Sequence, residues 1–300
     1  MKNIKYKKCI YLMTMLLSLG ITLPVMAQRS LVPAQYFFNQ YLGNAAMAGA
    51  DSSLNIMLSY NKQYDDMPGA PVNSLLSADY YLGKRVGLGL NVFNQKAGLL
   101  NQTRVALSYA YHLPVAEGQR LSFGISAAVV NNSLPLSDVD GDQEDPSLLD
   151  YNSRGSYVDG DFGLAYTVKG LNVQASLPTI RNYIVKEVYH TVDRPTLFTS
   201  ASYKFNFGKE FNSVEPKLCY TQIKGNSDLW DFGLEARCAN NLASIQTIYH
   251  SSSNYTVGLG IDAWSRFKIM AFYTSETKDT RRYTDGNLSL NLRVLLHKTK

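Results

Sequence analysis

Between Val86 and Leu113 apolar residues fall at almost every second position. Val86, Leu88, Leu90 and Val92 alternate with Gly87, Gly89 and Asn91. Past Gly98 the pattern resumes, with Val105, Leu107, Tyr109, Tyr111 and Leu113 set against Arg104, Ala106, Ser108, Ala110 and His112. Successive side chains of a strand point to opposite faces, so each run has one apolar face and one small or polar face. A soluble sandwich can show this pattern. These runs, however, reach the roughly 9–11 residues that a tilted membrane-spanning strand needs, longer than the usual five or six. The stretch therefore reads as two strands of a transmembrane β-barrel, with lipid on one side and a lumen on the other.

The same grammar recurs along the chain. Strands are expected near 54–62, 72–82, 85–95, 101–113, 120–131, 156–168, 170–177, 196–207, 213–223, 228–238, 242–250, 254–263, 266–275 and 285–296. The weakest are 213–223, where Pro216 suggests an edge or rim, and 242–250, where Ile245 and Ile248 break the period. The fold class is thus all-β, a transmembrane antiparallel β-barrel of about fourteen strands, an even number as bacterial barrels prefer. Loop lengths support this. Short turns at Gly83-Lys84, Lys169, Ala239–Asn241 and Trp264-Ser265 follow even-numbered strands. The long connections 132–155, 178–195 and 275–284 follow odd-numbered ones. Outer-membrane barrels have short periplasmic turns and longer outer loops, so both termini are expected on the periplasmic side.

The N-terminus reads as a secretory signal. Lys2, Lys5, Lys7 and Lys8 precede an apolar run from Ile10 to Val25, and Val25-Met26-Ala27 offers a cleavage site. The division is then 1–27 signal peptide, 28–53 a non-strand N-terminal segment serving as a periplasmic element or plug, and 54–300 the barrel. The formal charge of +5 includes those four lysines. Without them it is close to neutral, which removes a basic-surface argument for nucleic acid. Cys219 and Cys238 would lie about 20 Å apart on a hairpin that pairs Cys219 near Phe232, too far for a disulfide.

Motifs for chemistry are sparse. Acids alternate from Asp138 through Asp140, Asp142 and Glu144 as at the start of an EF loop. The sixth position is Gln143 and the twelfth Leu149, so no metal site is assigned and the stretch reads as a solvated acidic loop. His112 is expected inside, near the periplasmic rim, and His250 at an outer loop end; neither carries a readable triad. G-x-S-x-G, H-E-x-x-H and phosphate-loop motifs are lacking, so an enzyme is not expected, nor a cofactor. Gly87 and Gly89 on the inner face either allow something to approach the wall or permit curvature, and curvature is the ordinary reason. Tyr109 and Tyr111 suit an interfacial girdle. The last strand lacks the terminal aromatic residue of many outer-membrane barrels.

The run Asn39-Gln40-Tyr41-Leu42-Gly43-Asn44-Ala45-Ala46-Met47-Ala48-Gly49 resembles the "FNP…NPAYAG" signature of the PorP/SprF proteins. These are outer-membrane proteins of the type IX secretion and gliding apparatus of Bacteroidota. Tyr60, Gln63 and Pro71 match the family's "YRNQW…AP" element, and Asp79 its "S.D" pair. Gly87, Gly89 and Gly98 match "GLGL…G", while Tyr109 and Tyr111 match "SYAYHL". Ala45 replaces a proline and Tyr64 a tryptophan; the likeness is specific over about residues 36–124. It implies a non-enzymatic outer-membrane component that holds periplasmic ring or peptidoglycan-linked components, or secreted cargo. The alternative is a diffusion channel for small solutes. Asn39, Asn44, Gly49, Tyr60, Gln63, Pro71, Asp79, Gly87, Gly89, Gly98, Tyr109 and Tyr111 are its structural or docking positions by that resemblance.

Overall fold

The computed structural model describes residues 35–51, 53–63, 69–135, 155–185, 196–208, 211–225, 227–263, 266–276 and 286–296. The expected signal peptide, the acidic stretch from Asp138 to Asp145, the expected turn at Trp264-Ser265 and Tyr64 lie outside them.

The described residues form a closed antiparallel barrel of fourteen strands. They are β1 Leu54–Gln63, β2 Val72–Gly83, β3 Val86–Ala97, β4 Leu100–Ala116, β5 Gln119–Ser133, β6 Ser156–Val168 and β7 Leu171–Leu177. The second half is β8 Thr196–Tyr203, continued past Lys204 by Phe205–Asn206, then β9 Phe211–Ile223, β10 Leu229–Cys238, β11 Ala243–His250, β12 Tyr255–Ala263, β13 Phe267–Thr274 and β14 Asn287–Leu296. Each strand pairs with its sequence neighbours, and β14 returns to β1, from Leu54 opposite Leu296 to Gln63 opposite Asn287. Closure leaves no long unpaired edge, which is how such a wall avoids intermolecular pairing. Among the described residues no helix is long and apolar enough to cross a membrane, which says nothing of the strands.

Alternation fixes the two faces. On the outside, Leu107, Ile125, Val158, Leu259, Ile261, Ile269, Leu288 and Leu290 are exposed. Exposed aromatic rings mark both ends of this apolar belt. Tyr60, Trp230, Tyr255 and Tyr273 stand toward the rim with the long connections; Tyr109, Tyr203, Phe205 and Phe267 stand toward the other. Aromatic girdles at both interfaces are the mark of an outer-membrane barrel. Inside, Ser77, Ser108, Ser122, Ser126, Gln174, Ser200 and Ser244 are buried.

Antiparallel closure places every connection after an odd strand at one rim. The connections 134–155 and 178–195 share that rim; 84–85, 117–118 and 169–170 share the other, where β1 begins and β14 ends. The β2–β3 turn is tight, with Lys84 (φ 51°) and Arg85 (φ 70°) both in the left-handed region that a two-residue hairpin requires.

Three expectations change in detail. The predicted strand 196–207 breaks at Lys204. Its N–H donates to Gly170 O at 2.9 Å, toward β7, so the neighbouring Tyr203 carbonyl points to β9. The register there, Lys217 opposite Ser202 and Val214 opposite Phe205, puts Pro216 against Tyr203. Proline has no N–H to give, and the ladder lapses. Pro216 therefore marks a gap within a closed sheet and not an edge. Cys219 stands opposite Asp231, with Leu218 taking Phe232, and no disulfide joins it to Cys238. The segment 243–250 is a regular strand despite its irregular period, with Ile248 inward and 1% exposed.

Candidate functional site

The non-strand residues before β1 occupy the lumen. A single helical turn, α1 (Gln35–Phe38), is followed by two 3-10 turns, Gln40–Leu42 and Ala45–Met47. Each 3-10 turn is opened by an asparagine cap. Asn39 Oδ1 accepts from Tyr41 N at 3.2 Å, and Asn44 Oδ1 accepts from Ala46 N at 2.9 Å. Asparagine suits this place because its short amide oxygen reaches an otherwise unpaired turn N–H. Turns this short do not persist alone in water. Here the wall supplies their remaining partners.

Those partners surround the segment. The Tyr36 hydroxyl donates to Gln174 Oε1 at 3.1 Å and accepts from Ser200 Oγ at 2.6 Å. The Tyr41 hydroxyl donates to Ser108 Oγ at 2.8 Å. Burial pushes both phenols above the ordinary tyrosine range, which keeps them proton donors. Asn44 Nδ2 donates to Leu164 O at 2.9 Å and to Gln174 Oε1 at 3.2 Å. Gln174 Nε2 in turn donates to Gln40 Oε1 at 2.7 Å, so one β7 glutamine ties α1 to both turns. Ser176 Oγ donates to Gly43 O at 2.7 Å.

At the short-connection rim the last residues are clamped from four strands. Gly49 N–H donates to Asp79 Oδ2 at 3.1 Å, while Asn55 Nδ2 holds the other Asp79 oxygen at 2.8 Å. His112 Nε2 donates to Ala48 O at 2.9 Å; a carbonyl only accepts, so that nitrogen carries the proton and Nδ1 accepts from Ser122. Arg120 Nη1 reaches Ala50 O at 3.0 Å. Arg293 Nη1 reaches Phe38 O at 3.3 Å and its Nη2 pairs with Asp51 at 2.9 Å.

Packing completes the contact. A Cβ on Gly87 would overlap Ala48 O, one on Gly89 the Tyr41 ring, one on Gly124 the backbone of Ala45 and Ala46, one on Gly163 the Asn44 amide, and one on Gly233 the Phe37 ring. The inner-face glycines thus let the segment approach the wall, and the curvature reading of Gly87 and Gly89 is corrected. Tyr36 meets Phe198 edge-on at 4.7 Å between centroids. Lys217 Nζ lies 5.1 Å from the Phe37 centroid, and Lys268 Nζ 5.0 Å from that of Phe38. Both ammoniums sit beside Glu235 and Glu215: Lys268 at 3.4 Å from Glu235, Lys217 at 3.7 Å from Glu215, with Arg237 at 2.7 Å from Glu235.

The sequence-derived positions separate into three groups. Asn39, Asn44, Gly49, Asp79, Gly87 and Gly89 meet at the lumenal segment. Pro71 and Gly98 lie at the opposite rim, where Gly98 N donates to Gly69 O at 2.8 Å; Gln63 ends β1 there. Tyr60, Tyr109 and Tyr111 are on outward strand positions, with Tyr60 and Tyr109 exposed. Sequence reading missed Gly124, Gly163, Gly233, Gln174, Lys217, Lys268, Arg120 and Arg293. The glycines carried a signal, since all three fall on inward positions of their strands.

Two further polar groups line the lumen. Arg104 Nη2 holds both Asp161 oxygens at 2.7 and 2.8 Å, and the Thr179 N–H of the β7–β8 connection caps the same carboxylate at 3.1 Å. His250 Nδ1 donates to Asp231 at 2.7 Å, and its Nε2 is hydrogen-bonded to Thr256 Oγ1 at 2.9 Å, which lies 2.7 Å from Thr274 Oγ1. This chain joins four strands; Thr256 is 1% exposed, so its hydroxyl meets these side chains and not solvent. Among the described residues no group of three or more His, Cys, Asp or Glu side chains is placed to hold a metal.

The fold resembles solved outer-membrane barrels at low identity. The CymD monoaromatic hydrocarbon channel aligns with TM-score 0.54 and 14% identity, over 90% of this chain and 94% of that one. The Acinetobacter baumannii outer membrane protein Omp33 aligns with TM-score 0.48 and 7% identity, over 83% and 100%. No curated protein matches. The family described as "Type IX secretion system membrane protein PorP/SprF" matches residues 25–294. With nearly the whole chain matched, and with the lumenal turns formed by the very asparagines of its N-terminal run, the chain belongs to the PorP/SprF family of type IX secretion system membrane proteins.

Proposed function

We propose that this outer-membrane component of type IX secretion is a plugged scaffold that holds secretion components or cargo and does not conduct solutes. The observation that carries the reading is the lumenal segment: residues 35–50 span the barrel interior, bonded to strands around the circumference and fitted against five inward glycines. A diffusion pore needs a continuous aqueous path, and side chains fitted this closely favour a fixed floor. The working surfaces are then the rims. The periplasmic rim, where the segment meets β1, offers itself to ring or peptidoglycan-linked components. The rim with the long connections offers itself to cargo. Family membership supports partners of this kind.

Planar bilayer recordings of the purified protein test the scaffold reading. We expect no steady conductance from the wild type. Large stable channels would favour the solute channel, the second reading.

A further inference from the structure

Toward the long-connection rim, three neighbouring strands change character at the same step. Outward positions on β1 run from Leu54 through Ile56 and Leu58 to Tyr60 and then Lys62. On β2 they run from Leu82 through Tyr80, Ala78 and Leu76 to Ser74 and then Val72. On β3 they run from Val86 through Leu88, Leu90 and Val92 to Asn94 and then Lys96. The register sets these side chains in rows. Leu58, Leu76 and Val92 are level; Tyr60, Ser74 and Asn94 form the next row outward, and Lys62, Val72 and Lys96 the one after. All of them share the lipid-facing side, because each strand alternates and Leu58, Tyr60, Leu76 and Leu88 are exposed there. Ser74 is the short member of its row. Between Tyr60 and Asn94 it leaves a trough of about 400 Å³, with Leu290 of β14 lining the apolar end. Asn94 is fixed at the edge of this trough: its Nδ2 donates to Asn101 Oδ1 at 2.8 Å and to Thr103 Oγ1 at 2.9 Å.

Along the strand direction the order is cation, neutral hydrogen-bonding group, hydrocarbon, and that order identifies the occupant. Lys62 and Lys96 both stand opposite Val72, two strand spacings or about 10 Å from each other. Lysine stems are long enough to bring both ammoniums to one phosphate, which they bind as point charges. Below them the Tyr60 and Ser74 hydroxyls and the Asn94 amide offer donors and acceptors, which suit the hydroxyls and the ester or amide linkages of a sugar headgroup. The row of Leu58, Leu76 and Val92 is matched by hydrocarbon alone. We propose that this trough holds a phosphorylated glycolipid of the leaflet at the long-connection rim. Its phosphate sits between Lys62 and Lys96, its sugar over Ser74, and one acyl chain along Leu58, Leu76 and Val92. A soluble anion would use the lysine row and leave the apolar end bare, so the alignment of all three rows commits the trough to a lipid.

Native mass spectrometry of the intact barrel, titrated in detergent with bisphosphoryl lipid A or with phosphatidylglycerol, tests the site. Wild type should retain lipid A in clear preference to phosphatidylglycerol. Two lysines at an anionic headgroup weigh together about thirtyfold, so Lys62→Gln with Lys96→Gln should weaken lipid A retention about tenfold or more. Ser74→Trp leaves both lysines in place and fills the trough, and it should weaken retention to a similar degree. Leu259→Trp, at an exposed outward position on β12 and outside the trough, should leave retention unchanged. Heat-modifiable gel mobility verifies that each variant folds. Equal retention of the two lipids by wild type, unaltered lipid A retention in the lysine variant or in Ser74→Trp, or an equal loss in Leu259→Trp would overturn the proposal. Displacement of the bound lipid by millimolar inorganic phosphate would overturn it too, and would leave the lysine row as a site for a free anion.

Discussion

Asn44 condenses the argument at the scale of a residue. Its oxygen caps a turn, its amide bonds the β6 backbone and Gln174, and 2% of it is exposed. Gly49 has φ +63°, and a Cβ there would come 2.6 Å from Tyr80 O and 2.8 Å from the Gly87 Cα. Asn44→Ala together with Gly49→Val should therefore lower the temperature at which the folded band is lost on heated gels. Each orphaned buried group costs about 1–3 kcal/mol, and the strained glycine position adds a comparable amount. Unchanged stability with normal export would show that the segment is neither plug nor docking site. Unchanged stability with cargo retained in the periplasm would leave docking alone. Glu235 offers a second case. It is shared by Arg237 and Lys268, and Glu235→Ala should cost about 3 kcal/mol, since the buried Lys268 and the half-buried Arg237 lose their common anion. A stability loss below about 1 kcal/mol, read from heat denaturation, would mean that water replaces the carboxylate. The resemblance of residues 39–49 to a family signature was legible, and so was their lack of β alternation. A plug was one of the two places expected for them; their partners on the wall were not legible, because nothing in a local pattern says which distant glycines face a given asparagine.

Elements were more legible than contacts. Period-two alternation located fourteen strands to within a few residues, since one face meets lipid and the other a polar lumen, and both faces constrain every position. Alternation failed where a ladder is interrupted by a missing donor and not by a change of polarity. Residues 196–207 alternate without a break, yet the strand lapses at Lys204 because Pro216, opposite Tyr203 on the next strand, has no N–H to give. Pro216→Val should restore a donor to the Tyr203 carbonyl. The expected result is slower amide exchange at that position and a gain of about 1 kcal/mol in stability. A loss instead would mean that the proline ring packs better than a valine can, and that the lapse is tolerated for that reason. The same limit explains the one-residue slip at Cys219. Hairpin register depends on the turn between β9 and β10, whose length the sequence leaves open by one residue.

For the whole molecule, closure turns loop lengths into a statement about sidedness. In an antiparallel barrel the rim of a connection is fixed by the parity of the strand before it, whatever the loop's own conformation. The connections after β5 and β7 thus share one rim, while β1 begins and β14 ends at the other, Leu54 opposite Leu296. A barrel inserted from the periplasm keeps its short turns there and passes the longer loops across. The lumenal segment agrees with this orientation, because its clamp by Asp79, His112 and Arg120 lies at the short-connection rim, where β1 begins. An epitope tag placed within 178–195 should therefore bind antibody on intact cells, and one placed at Lys169 should bind only after the outer membrane is permeabilised. Both sites lie in connections outside the strands, and gel mobility before and after heating verifies that each tagged barrel folds. If the Lys169 tag were reached on intact cells and the loop tag were not, the orientation would be inverted. The lumenal clamp would then face the exterior, and cargo in place of the periplasmic machinery would be the partner within its reach.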